Sequence, residues 1–280
     1  MIYVAIAKLI SEKSVEMLSK SGFEVNYNKN GTSIPPEQVA NLIKNAEGVL
    51  AGVEKYDSAV MDASKQLKCI SRVGESTGNI DVNAAKEKGI TVLTVDPKIK
   101  DKYLAEMVFS ALHALSSKIG TSLEGKPRSL YNSRILLIGY NQLAINLTSL
   151  LSIYEPTIHI YDATKEVPFK YYCSLRKEVA QNSIIIICSK EKNDAIGPML
   201  KYMPKSTLLL DPFNKYLPQA DIELLISKGQ VAGYWTCSEN VKLGDDRVVV
   251  TPYANHQTRK FLEEIEENAV KNLLDALGSK

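Results

Sequence analysis

The chain has 280 residues, 45% hydrophobic and 24% charged, and its 34 basic against 32 acidic side chains leave a formal charge of only +2. That balance lacks the clustered positive excess of phosphate-neutralising proteins, which argues against nucleic acid as a partner. No apolar run nears the roughly 20 residues that cross a bilayer, so no membrane partner is expected, and the length suits two domains.

In chain order, Ile2 to Ala7 (IYVAIA) reads as a buried strand, and the absence of a preceding basic segment argues against a signal peptide. Ser11 to Ser21 places Val15 and Leu18 on one helical face. FEVNY, the helix Pro36 to Ala46 and GVLAG repeat the strand–helix–strand rhythm. Leu67 to Ser71, Val82 to Lys88 and Ile90 to Leu93 continue it. Strands alternating with helices predict parallel sheets with right-handed crossovers. Asp101 to Leu115 carries a helical stripe of Leu104, Met107, Val108, Ala111, Leu112 and Leu115, and the Ser-, Gly- and Pro-containing stretch Ser116 to Arg134 reads as a linker. A second run follows: ILLIG, a helix over 142–152, Thr157 to Asp162, SIIIIC, STLLLD, QVAGYW and RVVVT. It ends in an amphipathic helix bearing Phe261, Leu262, Ile265, Ala269, Leu273 and Leu277. The fold class is therefore α/β, with two lobes, each a mostly parallel sheet flanked by helices, and a cleft between them. Cys69, Cys173, Cys188 and Cys237 form no C-x-x-C pair, which predicts a reducing, cytoplasmic compartment and no metal site.

One motif bears on chemistry. ILLIG runs into Gly139-Tyr-Asn-Gln-Leu-Ala144, where a dinucleotide fold places G-x-G-x-x-G/A. Gly139 fills the tight turn and Ala144 the helix–strand contact. Asn141 stands where the second glycine lets backbone approach a pyrophosphate. Asp162 ends the next strand, 23 residues beyond Gly139, near the roughly 20 expected of the acid that binds a ribose 2′-hydroxyl. Such an acid favours NAD over NADP by repelling a 2′-phosphate.

Leu67 to Leu93, with its R-x-G loop and Asn79-Ile-Asp81, resembles the corresponding segment of the D-2-hydroxyacid dehydrogenases. So do Ala105-Glu106, ILLIGYNQLA, Met203 to Leu217, Gly229 to Glu239 and Arg247 to Thr258, in the same order and spacing. The resemblance implies two Rossmann-like lobes: a substrate domain of residues 1–100 plus 256–280, and an NAD(P)-binding domain of residues 101–255. It implies NAD as cofactor, a homodimer built on the cofactor lobes, and a small-molecule substrate of the 2-keto or 2-hydroxy acid kind. Cofactor contacts would fall on Gly139, Asn141, Gln142, Leu143, Asp162, Cys188, Pro212 and Cys237, and substrate contacts on Arg72, Gly74, Glu75 and Ser76. Arg72 would pair with Glu75 or Asp81 if Glu75 points to solvent. The family's catalytic Arg, Glu and His positions fall on Phe213, Lys242 and Tyr253, and its carboxamide-binding Asp on Cys237. All four differ from the family pattern.

A lysine beside a tyrosine stabilises the phenolate. Lys242 and Tyr253 therefore form one candidate proton-handling pair; otherwise Tyr253 fills a vacated pocket and Lys242 is a surface charge. His256 is a displaced general acid or a residue preceding the last helix, while His113 and His159 read as structural. Two functions follow: an NAD-linked oxidoreductase with an altered catalytic set, or a catalytically silent relative that binds a nucleotide or small ligand, or serves as a dimeric interaction module.

Overall fold

The computed structural model describes residues 2–6 (backbone), 10–28, 34–121, 123, 125–163, 174–191, 194–252 and 257–278. The chain divides into two compact units, Met1–Ile99 with Thr258–Lys280, and Lys100–Gln257.

The first unit runs β1 (Ile2–Ile6), α1 (Glu12–Lys20), β2 (Phe23–Tyr27), α2 (Pro36–Ile43), β3 (Gly48–Ala51), α3 (Ser58–Asp62), β4 (Cys69–Arg72), α4 (Val82–Glu87) and β5 (Thr91–Thr94). Its sheet is parallel in the order β2-β1-β3-β4-β5. Helix α5 (Pro97–Ser117) leads into the second unit. That unit runs β6 (Arg134–Ile138), α6 (Gln142–Leu151), β7 (Thr157–Tyr161), α7 (Leu175–Gln181), β8 (Ile184–Ile187), α8 (Ile196–Leu200), β9 (Thr207–Leu210), α9 (Gln219–Ser227), β10 (Val231–Thr236) and β11 (Val248–Val250). Helix α10 (Arg259–Leu277) then returns to the first unit. The second sheet is also parallel, in the order β11-β10-β9-β8-β6-β7. Both are doubly wound α/β sheets, and in the second the order reverses between β6 and β8. Ligands of such sheets bind beyond the carboxyl ends of the strands at that reversal.

Period-two side-chain alternation builds the second unit's two cores. Ile135 and Leu137 of β6, with Ile184 and Ile186 of β8, join a cluster with Leu104, Leu112 and Leu115 of α5 and Leu143 and Leu147 of α6. Leu136, Ile138, Ile185 and Ile187 face the other way, onto α7, α8 and α9. Strands covered on both faces read as unbroken apolar runs, as these do. Short polar side chains start the helices. Ser11, Asp57, Asp81, Asn141, Ser174 and Thr258 each accept from the backbone amide three residues on, satisfying one of the first-turn donors.

The stretch expected as a linker, Ser116 to Arg134, is part of the second unit. Ser116 and Ser117 close α5, the Arg128 amide donates to the Ser116 carbonyl at 2.7 Å, and Leu123 and Leu130 are buried in the α5–α6 core. Two leucines suffice to anchor a segment whose average composition is polar. In the first unit, the Ser71 hydroxyl donates to the Ala269 carbonyl (2.8 Å) and Asn272 Nδ2 to the Thr94 carbonyl (2.9 Å), tying α10 to β4 and β5. A Cβ at Gly48 would lie 2.6 Å from Leu277 Cδ1 and 2.9 Å from Leu273 Cδ1, so the glycine leaves room for the leucine side chains of α10 over β3. Among the described residues, no helix is long and apolar enough to cross a membrane.

Candidate functional site

The turn after β6 is pinned from both sides. The Gly139 amide donates to the Tyr161 carbonyl (2.7 Å), while the Cys188 and Ser189 amides both donate to the Ile138 carbonyl (2.8 and 2.9 Å). Gly139 has φ +105°, a conformation closed to L side chains. A Cβ there would sit 2.6 Å from the Ser189 backbone nitrogen. Shape and close approach both demand glycine.

Asn141 is extended (φ −144°) and needs no special backbone freedom. Its Oδ1 accepts from the Ala144 amide (3.1 Å) and its Nδ2 donates to the Cys188 carbonyl (2.7 Å). The side chain thus caps α6 and ties β6 to β8. A glycine could do neither, which accounts physically for the departure from G-x-G. Asp162, half-buried at the end of β7, accepts from the Tyr140 amide through Oδ2 at 2.7 Å. The turn, the cap and the acid therefore form one hydrogen-bonded group at the β6–β8 reversal. Gln142 is half-buried in the first turn of α6 with Nε2 on Asn146 Oδ1 (3.0 Å), whereas Leu143 lies wholly in the core.

Next along this edge stands a carboxyl that sequence reading missed. Asp211, immediately after β9, is 0% exposed. Its Oδ1 accepts from the Asn214 amide (2.9 Å), and its Oδ2 is buried with no hydrogen-bond partner. Burial pushes this carboxyl up to about 7, against the opposing pull of the Asn214 and Phe213 amides. In sequence it looks like Asp162: an acid after an apolar strand. Only the surrounding packing distinguishes them. Burial, then the charge of Asp211, push the Cys237 thiol up to about 12, and Cys188 is raised in the same way by burial and Asp101. Both thiols are buried and neutral, and Pro212 is buried beside Asp211. Phe213 is partly buried against the α5–α6 core. Lys242 is exposed; its backbone amide donates to Gln219 Oε1 and its carbonyl accepts from Gln219 Nε2, both at 3.3 Å. Tyr253 and His256 lie outside the described residues.

The Arg72–Gly78 loop belongs to the first unit. Arg72 Nε donates to Asn79 Oδ1 (3.2 Å) and Nη1 to the Val73 carbonyl. Asn79 Nδ2 in turn donates to the carbonyls of Gly52 (3.0 Å) and Glu54 (2.6 Å). The expected Arg72–Asp81 pairing does not form: Asp81 caps α4 through the Ala84 amide at 2.9 Å, and Asn79 takes the guanidinium instead. Burial lowers the Arg72 pKa while nearby Glu54 opposes that shift. The arginine thus braces its own loop. Gly74 and Glu75 are half-buried and Ser76 is exposed, its hydroxyl accepting from the Gly78 amide (3.2 Å). Arg72→Lys, which removes the planar fork, is expected to cost about 1–2 kcal/mol. Denaturant titration checks this; an unchanged midpoint would contradict the bracing role. His113 accepts or donates at Nε2 to the Tyr154 hydroxyl (3.1 Å), and His159 is buried against Glu178.

Comparison with known proteins agrees with this architecture. The family described as "D-isomer specific 2-hydroxyacid dehydrogenase, catalytic domain" matches residues 4–280. D-3-phosphoglycerate dehydrogenase of Archaeoglobus fulgidus is 34% identical over 91 residues, covering 32% of this chain but only 17% of that enzyme. Glyoxylate reductase of Thermofilum pendens is 24% identical over 311 aligned positions, 98% of this chain and 91% of its own. The crystal structure of NAD+-bound 3-phosphoglycerate dehydrogenase from Entamoeba histolytica superposes with a TM-score of 0.73 at 19% identity, covering 99% and 95% of the two chains. With a doubly wound second unit, a glycine turn at its strand reversal and a family match over almost every residue, this chain belongs to the D-isomer specific 2-hydroxyacid dehydrogenase family.

Proposed function

We propose that the protein is an NAD-linked oxidoreductase acting on a small 2-keto or 2-hydroxy acid-like substrate, with a proton-handling set unlike its family's. The observation that carries this reading is the Gly139 turn closed by Asp162 and Asn141 at the β6–β8 reversal. These residues fit a dinucleotide: the glycine cradle would be filled by any Cβ, and an acid stands at the neighbouring strand end. Gly139, Asn141, Gln142 and Leu143 would hold the pyrophosphate side, Asp162 the adenosine ribose, and the backbone of Cys188, Pro212 and Cys237 the remainder. When bound, the dinucleotide supplies or accepts hydride. Residues 101–255 form the cofactor domain, and residues 1–100 with 256–280 the substrate domain. The Ser76 end of the Arg72–Ser76 loop meets the acid group of the substrate, while the Gly74 amide, donating to the Arg72 carbonyl (2.9 Å), and the Arg72 side chain keep that loop in shape. Tyr253 holds the proton for the substrate oxygen, Lys242 eases its release, and His256 is the reserve donor.

A second reading, a silent relative that binds nucleotide or ligand without turnover, is favoured by the exposed Lys242 and the neutral, buried Cys237. Following oxidation of NADH with glyoxylate, hydroxypyruvate and pyruvate separates the two. Turnover that falls in Tyr253→Phe supports the enzyme, and NADH binding with no turnover supports the silent relative.

Asp162→Asn is expected to weaken NADH roughly tenfold, a loss of about 1.4 kcal/mol, and to narrow its preference over NADPH. Parallel fluorescence titrations check both, and an unchanged NADH affinity would remove Asp162 from the site. A homodimer built on the second unit completes the proposal, supported by the exposed apolar side chains of Tyr131, Ile145 and Ile153.

A further inference from the structure

Lys190 stands just past β8, and its ammonium lies 2.6 Å from the carboxylate of Asp101 on α5. The acid side chain is 6% exposed and the lysine 35%, so the pair joins a buried anion to a cation that still reaches solvent. Both residues belong to the second unit. Carboxylates are seldom this buried without a charged partner, and among the described residues Lys190 is the ion-pair partner of Asp101.

We infer that Lys190 is a catalytic residue: held by Asp101, its ammonium meets the 2-keto oxygen of the substrate and the carboxylate oxygen beside it. The inference rests on the oxidoreductase reading above. The face of the sheet is the first reason. Side chains alternate along a strand, and Cys188, two residues before Lys190, joins the α5–α6 core; the contact with Asp101 of α5 puts Lys190 on that same face. Phe213, where the family's arginine falls, packs against the same core. A lysine one strand over thus stands on the face that lost its cation.

Position along the edge is the second reason. With the adenosine ribose on Asp162 after β7, the reacting end of the dinucleotide falls beyond β8 and β9, across the strand reversal. Rigidity is the third. The Lys190 carbonyl accepts from Lys215 Nζ, and the Glu191 carbonyl accepts from the hydroxyls of Tyr216 and Ser189. These bonds fix the root of a flexible side chain, and Asp101 fixes its tip. An ammonium has three N–H donors; Asp101 occupies one side of it, and the others suit two ligand oxygens. As the keto carbon gains hydride from the dinucleotide, negative charge builds on its oxygen, and a fixed positive charge there lowers the barrier. The proton that completes the hydroxy acid comes from the donor proposed above.

The test is titration of the NADH-saturated chain with oxamate, read by nicotinamide fluorescence. Oxamate carries the carboxylate and adjoining carbonyl of a 2-keto acid. The parent chain should bind it saturably, and Lys190→Met should bind it at least roughly tenfold more weakly. Lys190→Arg, which keeps the charge, should recover part of the loss. Both variants should hold NADH within about threefold of the parent chain. Because Lys190→Met leaves Asp101 buried without its cation, a variant combining it with Asp101→Asn serves as the folding control. That double variant should melt like the parent chain and still bind oxamate weakly. Oxamate binding restored there would show that the lysine only neutralises Asp101, and would overturn the inference. So would parent-like oxamate binding in Lys190→Met, or a parent chain that binds NADH but no oxamate. A parent chain that binds no NADH overturns the oxidoreductase reading and this inference with it, a result told apart because the first titration already fails.

Discussion

Asp211→Asn is expected to flatten the pH dependence of stability between pH 5 and 8 and to stabilise the protein on the alkaline side. The carboxyl ordinarily titrates near 3.8 and is pushed to about 7 by burial. The folded state therefore holds the proton more tightly than the unfolded one. Its contribution is fully present below about pH 4, declines as pH rises, and is gone above about pH 7. A displacement of about three units corresponds to roughly 4 kcal/mol, at 1.36 kcal/mol per unit. Asparagine keeps the Oδ1 acceptor for the Asn214 amide and does not titrate. Relative to the parent chain, the variant should gain roughly 2–3 kcal/mol from pH 5 to pH 8, most of it before pH 7, where the difference levels off. Denaturant titrations at several pH values measure the difference, and curves that stay parallel would show that Asp211 is not the buried acid described. A protein keeping such a residue sacrifices stability, and it does so at the carboxyl edge where ligands of this sheet class bind.

Gly139→Ala carries the second large effect. Alanine would have to adopt φ +105° and place its Cβ 2.6 Å from the Ser189 nitrogen and 2.8 Å from its Cα. Those neighbours are backbone atoms of the strand edge, which cannot swing aside as a side chain can. Strain alone costs about 1–3 kcal/mol, and relieving the overlap means parting β6 from β8. The Gly139–Tyr161 and Asn141–Cys188 hydrogen bonds would loosen together. Expected are a lower unfolding midpoint and NADH binding weakened by more than roughly tenfold. A variant that binds NADH like the parent chain would show that the turn is not part of the site.

Much of the scaffold was legible because its cause is local. Four consecutive isoleucines, 184–187, can only be a strand covered on both faces, and the stripe on Asp101–Leu115 falls within α5. The short helices Ser58–Asp62 and Ile196–Leu200 passed unread because five residues carry too little periodicity. The site was legible in outline and illegible in its partners. Asn141 reads as a lost glycine, yet its role is set by the Ala144 amide and by the Cys188 carbonyl, 47 residues away. Arg72 reads as a ligand for anions, yet Asn79 and the Val73 carbonyl claim it. Asp162 and Asp211 occupy the same sequence pattern and differ only in what packs around them. Contacts between distant segments decide these cases, and no spacing rule contains them.

Titration of the intact protein with NADH, read by nicotinamide fluorescence alongside NADPH, bears on all of this at once. Saturable micromolar binding of NADH, tighter than NADPH and lost in Gly139→Ala, is the predicted result. A folded, cooperatively melting protein that binds neither nucleotide at millimolar concentration would contradict the account, whatever its fold resembles.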